Sequence, residues 1–62
     1  MMTYNQALSI KPNTTLYVKG SNEKFRVDGI DVDDVNKDVW IVGFENGGLK
    51  KRHHRTLSLK SK

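Results

Sequence analysis

The chain has 62 residues, 35% of them hydrophobic, with a formal net charge of +4 and no cysteine. So short a chain forms a single domain with a small core, and without cysteine it has neither a disulfide nor a thiolate metal site. No apolar run approaches the roughly 18 residues that span a bilayer, and the start MMTYNQALSI does not resemble a signal peptide, so we expect a cytoplasmic protein without membrane contact.

The N-terminal residues predict a helical turn. Thr3, followed three residues later by Gln6, has the pattern of a capping box, so the turn would cover residues 4–9. Pro12 disfavours helix at the residue before it. We therefore predict that residues 1–12 form a short helical turn and a lead-in to the rest of the single domain.

From Thr14 onward, apolar and polar residues alternate, which is typical of β-strands. In the second strand the apolar residues change parity at Gly29, which predicts a one-residue bulge there. Asn46 and Gly47 predict a hairpin turn. The predicted strands are Thr14–Lys19, Glu23–Val32, Asp38–Glu45, Leu49–His54 and Leu57–Leu59. Five short strands predict an all-β fold: a small five-stranded antiparallel barrel over residues 14–59, followed by a basic tail over residues 60–62. The alternative is an open antiparallel sheet that the N-terminal turn covers.

One face of these strands should form the core. The third strand is apolar on both faces, so we expect Val39 and Ile41 on its outer face, under the N-terminal turn. The predicted core residues are Leu16, Val18, Phe25, Val27, Ile30, Val32, Trp40, Val42, Phe44 and Leu57.

The predicted third strand and its turn resemble the pattern of a known family. They read Trp40-Ile41-Val42-Gly43-Phe44-Glu45-Asn46-Gly47, similar to the Tudor pattern of two apolar residues, an aromatic, an acidic residue and glycine. The segment Phe25–Ile30 resembles the preceding strand of that class, and Leu57 lies where such domains place a leucine. Over Thr14–Leu59 the chain therefore resembles Tudor and KOW domains, which implies a Src-homology-3-like barrel. Its loops lack the aromatics of a methyl-ligand cage.

Charge is unevenly distributed along the chain. The formal charge is +2 over residues 1–22, −4 over residues 23–46 and +6 over residues 47–62. A basic segment attracts polyanions, and an acidic segment restricts where they bind.

The leading functional hypothesis is a non-enzymatic module that contacts nucleic-acid phosphates, of either DNA or RNA, through its basic C-terminal strand. Alternation places Lys50, Arg52 and His54 on one face of that strand, at a spacing that roughly matches successive phosphates. The candidate contact residues are Lys50, Lys51, Arg52, His54, Arg55 and Lys60.

The alternative is a small protein-interaction or inhibitory module. It would dock on a partner through the combined acidic turn and basic strand, as a phage accessory protein that binds a host enzyme would. The candidate docking residues are Asp31, Asp33, Asp34, Asp38 and Tyr17. Homodimerisation through an unclosed strand edge is left open.

The sequence shows no pattern for catalysis or for a cofactor. It has no nucleophile beside a base and no phosphate loop, so we expect no enzyme and no catalytic residue. His53 and His54 are adjacent, and neighbouring residues on a strand point to opposite faces. We therefore expect no metal site.

Overall fold

A computed structural model describes residues 2–61. Five antiparallel strands form one curled, half-barrel sheet, in the order β4-β3-β2-β1-β5, with a short helical turn near the N-terminus. The elements are α1 (Tyr4–Leu8), β1 (Thr15–Val18), β2 (Lys24–Asp33), β3 (Asp38–Glu45), β4 (Gly48–His53), a 3₁₀ turn (His54–Thr56) and β5 (Leu57–Ser58). The predicted all-β fold is confirmed, and the sheet is compatible with a small Src-homology-3-like barrel.

The capping box that the sequence predicts holds the start of α1. The backbone N–H of Gln6 donates to Thr3 Oγ1 at 3.1 Å, and the backbone N–H of Thr3 donates to Gln6 Oε1 at 2.9 Å. The helix buries Ala7, which joins Met2 in the core. Because α1 is so short, this packing stabilises it more than helix propensity can. No helix among the described residues is long and apolar enough to cross a membrane.

The predicted bulge lies in β2. The pairing of β2 with β3 shifts between Val27 and Gly29, so Asp28 is the extra residue. The shift returns Ile30 to the side of the sheet that carries the core, where it lies opposite Ile41. A bulge also increases local twist, which suits a sheet that curls.

Both ends of the described chain contribute to the core. The predicted core positions Leu16, Phe25, Val27 and Leu57 are buried, and Val18 and Ile30 pack against them only partly buried. The buried apolar side chains among the described residues are Met2, Ala7, Leu16, Phe25, Val27, Val39, Ile41 and Leu57.

Our prediction of which face of β3 packs in the core is wrong. Val39 and Ile41 are fully buried, whereas Trp40 and Phe44 are each 39% exposed. The reason lies at Gly43, on the same side as Val39 and Ile41, where the ring of Phe25 occupies the space that a side chain would need. The small residue therefore marks the inner face, because it makes room for a large side chain from β2.

Two further core predictions need correction. Val32, near the end of β2, is 41% exposed, and Val42 is only half-buried on the outer side of β3.

The hairpin prediction is confirmed. Asn46 and Gly47 both have positive φ, 52° and 79°, as a type I′ turn requires.

Candidate functional site

An exposed group of apolar side chains lies on the outer face of the sheet, the side opposite the core. Phe44 and Leu49 are directly opposite each other on β3 and β4, so their side chains share this face. Val42 and Trp40 follow along β3 on the same side. Leu49 is 61% exposed and the two aromatics are 39% exposed. We call these four residues the apolar patch.

Charged side chains flank the apolar patch with opposite signs. At one end, the guanidinium of Arg26 lies 5.2 Å from the centroid of the Phe44 ring, and Lys24 follows on the same strand face. At the other end, Asp31 is the neighbour of Trp40 across the β2–β3 ladder. We call these the basic end and the acidic end of the outer face.

The acidic end contains most of the docking residues that the sequence predicts. Asp33 and Asp38 face each other across the ladder on the same side as Asp31, whereas Asp34 is exposed in the turn that follows. Tyr17 lies on the outer side of β1, half-buried, opposite Lys24.

Asp33 has a structural role in the β2–β3 turn. Its carboxylate accepts hydrogen bonds from the backbone N–H groups of Val35 and Asn36, each at 3.2 Å, and from the Asn36 side chain at 2.8 Å. The Asn36 side chain is the main reason that the pKa of Asp33 lies below its ordinary value. This carboxylate is therefore occupied with ordering the turn.

Arg52 is held in an ion pair on the inner side of β4. Its Nε and one terminal nitrogen donate to the two carboxylate oxygens of Glu45 at 2.6 and 2.7 Å. Glu45 is buried, with 6% exposure. The hydrogen bonds with Arg52 lower the pKa of Glu45 and raise that of Arg52, against the opposing effect of desolvation. Arg52 therefore neutralises a buried carboxylate.

His54 is buried, with 2% exposure, and is not on the strand face where we expected it. The strand β4 ends at His53, and the 3₁₀ turn that begins at His54 directs its ring to the core side. The backbone N–H of Val39 donates to His54 Nδ1 at 3.1 Å. Burial lowers the pKa of His54, and the neighbouring His53 adds to the effect, so the ring is predominantly neutral near pH 7.

The structure therefore does not show the exposed row of three cations that the sequence predicted from Lys50, Arg52 and His54. Lys50 is exposed on the inner side of β4, and Lys51 pairs with Asp31, with 3.0 Å between Nζ and Oδ2. Arg55 and Lys60 are exposed in the segments that follow β4 and β5.

The two histidines lie against each other rather than on opposite faces, so that part of the sequence interpretation is wrong. Their ring centroids are 4.3 Å apart, because His54 leaves the strand and alternation ends there. His53 Nε2 lies 2.7 Å from Asp38 Oδ1. One ligand-type atom from each of Asp38, His53 and His54 lies within 4.8 Å of the other two. We call these three residues the histidine cluster.

Sequence reasoning missed Arg26, Phe44 and Leu49 as members of a surface site. Two signals could have indicated them: β3 is apolar on both faces, and Phe44 and Leu49 stand at equivalent distances from the Asn-Gly turn. A hairpin with that turn fixes the register, so these two side chains must meet on one face.

No family model matches the chain, and neither does any curated protein or solved structure.

Proposed function

We propose that this chain is a small, non-enzymatic protein-interaction module that binds its partner through the outer face of the sheet. The observation that carries the proposal is the exposure of Trp40, Phe44 and Leu49 together, between charges of opposite sign. Such a module would act in an accessory or inhibitory role, by occupying a surface of another protein. On its motifs, we propose a Tudor/KOW-type barrel that works in the cytoplasm.

The apolar patch has the composition of an interface centre. Protein interfaces concentrate their binding energy in a few aromatic residues near the middle, surrounded by polar groups that exclude water. Trp40 and Phe44 are such aromatics, and their exposure leaves unburied apolar surface on a domain whose core is already small.

The charges of the outer face favour a protein over a polyanion. Both signs of charge lie on this face, at ladder positions that hold three basic and three acidic side chains: Lys24, Arg26, Lys51, Asp31, Asp33 and Asp38. A polyanion would meet repulsion at the acidic end. A protein with an apolar centre, an acidic group toward Arg26 and a basic group that competes with Lys51 for Asp31 would be attracted at both ends and would bind in one orientation.

We expect Trp40→Ala and Phe44→Ala each to weaken partner binding by about 30-fold or more, since truncation of a central aromatic costs roughly 2 kcal/mol. The matched control is Val35→Ala, because Val35 is 84% exposed but lies in the β2–β3 turn. Immobilised wild-type and variant proteins would be compared for retained proteins after nuclease treatment of an extract. Calorimetry with the purified partner would then give each Kd. Equal affinity of all four proteins would contradict the proposal.

Nucleic-acid binding is a second candidate, favoured by one observation at the basic end: Arg26 stacks over Phe44 beside Lys24. Cations next to exposed aromatic rings can bind phosphates and stack bases of a single strand. In that case Lys50, Lys51, Arg55 and Lys60 would add phosphate contacts.

A fluorescent oligonucleotide, as DNA and as RNA, tests the second candidate by titration at several salt concentrations. Binding to phosphates should weaken steeply with salt, and Lys24→Gln, at the basic end, should reduce the slope by about one contact. The substitution Asp31→Lys, at an exposed position of the acidic end that makes no turn hydrogen bond, separates the two candidates, because it should strengthen binding of nucleic acid and weaken docking of a protein. Absence of binding at low salt would exclude the nucleic-acid candidate.

A further inference from the structure

The histidine cluster contains three potential metal ligands on two neighbouring strands and the turn that follows. Asp38 is the first residue of β3, His53 is the last residue of β4, and His54 begins the 3₁₀ turn. The pairing of Trp40 with His53 brings the two strand ends together. Hydrogen-bonded backbone therefore fixes the relative positions of the Asp38 and His53 backbones before any ligand binds, and His54 follows directly in the chain.

We propose that Asp38, His53 and His54 bind a divalent first-row transition metal, with Zn²⁺ as the best-suited ion. Two imidazole nitrogens and one carboxylate oxygen are ligands that Zn²⁺ accepts, at about 2.0–2.2 Å from the ion. Ligand atoms within 4.8 Å of one another need only small side-chain rotations to reach that geometry. Three protein ligands leave a fourth position for water or for a group from a partner.

The side chains of His53 and Asp38 already contact each other. His53 Nε2 is 2.7 Å from Asp38 Oδ1, closer than two ligands of one tetrahedral ion, which are separated by roughly 3.3 Å. The ion would thus replace this hydrogen bond and move the two atoms apart by about half an ångström. The N–H of Arg55, which donates to His53 Nδ1 at 3.2 Å, is exposed and would turn to water when that nitrogen becomes protonated.

His54 has a backbone partner for either tautomer. Its Nδ1 lies 3.1 Å from the backbone nitrogen of Val39 and 3.3 Å from the oxygen of the same residue. With the proton on Nδ1, the ring donates to the carbonyl oxygen and leaves Nε2 free for the metal. Metal-binding histidines are commonly oriented by such a hydrogen bond from the other ring nitrogen. This tautomer loses the hydrogen bond that the backbone N–H of Val39 donates to Nδ1.

Aromatic neighbours limit how far the two rings can turn. Trp40 contacts the ring of His53 edge to face, with centroids 5.0 Å apart, and Tyr4 approaches His54 in the same manner at 6.4 Å. These contacts hold both rings in place, so little conformational entropy is lost when an ion binds.

The proposal is tested by calorimetric titration of Zn²⁺ into chelator-treated protein, with Asp38→Asn, His53→Gln and the control Asp34→Asn. Asp34 is exposed in the nearby turn and outside the cluster. We expect wild type and Asp34→Asn to bind one ion with the same affinity, and the two cluster variants to bind at least about 10-fold more weakly. Circular dichroism verifies that each variant is folded.

A nitrogen-15 NMR spectrum of the histidine rings gives an independent readout in the wild-type protein. With Zn²⁺, one nitrogen of each ring should take the chemical shift of a metal-bound imidazole nitrogen, and Co²⁺ in place of Zn²⁺ should give the absorption bands of a low-coordinate site. Affinity equal in the wild-type and cluster variants, or ring nitrogens that do not respond to Zn²⁺, would overturn the proposal.

Discussion

Gly43→Ala should destabilise the protein by about 3 kcal/mol or more, a large part of the stability available to a domain of this size. A Cβ atom at position 43 would overlap the carbonyl oxygen of Arg26 and lie 2.7 Å from Cε2 of Phe25. Neither neighbour can move cheaply, because Arg26 is paired within the sheet and Phe25 is fully buried. Urea denaturation followed by circular dichroism measures the loss.

Gly29→Ala is the matched control for that substitution. Gly29 belongs to the same β2–β3 ladder, and no heavy atom lies within 4 Å of the position that its Cβ would take. We expect this variant to stay within about 1 kcal/mol of the wild type. The added methyl group lowers the conformational entropy of the unfolded chain and meets little steric hindrance in the folded one. If Gly43→Ala proved as stable as Gly29→Ala, the close packing of β2 against β3 would be wrong.

Arg52→Met should cost about 1–3 kcal/mol at neutral pH. The substitution keeps most of the aliphatic chain but leaves the buried carboxylate of Glu45 without its two charged hydrogen-bond donors. The double variant Glu45→Gln with Arg52→Met removes the stranded charge, so its loss should be smaller than that of the single variant. With Glu45→Gln alone as the fourth protein, the free energies of unfolding give the thermodynamic coupling between the two sites.

The same pair predicts opposite responses to acid. In the wild type, Arg52 holds the pKa of folded Glu45 below its value of 4.5 in the unfolded chain. The unfolded state therefore binds more protons, and this contribution to stability is lost as pH falls below about 4.5. In Arg52→Met, burial raises the pKa of Glu45 instead, so acid should favour the folded state. The difference between the proteins must shrink from neutral pH to about pH 4, and a constant difference would contradict this explanation.

Local features of the fold were predictable because the residues that produce them are close in sequence. The capping box joins Thr3 to Gln6, the hairpin depends on Asn46 and Gly47, and the bulge follows from a change in alternation at Gly29. Each is governed by short-range geometry that the residue types themselves specify.

The inner face of β3 could not be inferred from the strand alone. Both faces are apolar, and the larger side chains, Trp40 and Phe44, suggested the wrong one. The decision depends on β2, since Phe25 fills the space beside Gly43. Packing between strands is a tertiary property that hydrophobicity within one strand does not reveal.

The candidate sites were harder to predict than the fold for a related reason. Alternation correctly separated Lys50 and Arg52 from Leu49 and Lys51, but it does not show that Arg52 pairs with Glu45 across the hairpin. It also fails at His54, where the chain turns without a glycine or proline to mark the change.

The bulge in β2 determines which changes in chain length the sheet can tolerate. Loss of one residue from a regular strand exchanges its faces beyond that point, which would bring apolar side chains into water. Asp28, between Val27 and Gly29, has no partner in the pairing of β2 with β3. Without it, Ile30 would still lie opposite Ile41, on a straighter strand. Among single-residue deletions in this strand, natural variants that fold should therefore be found chiefly at position 28.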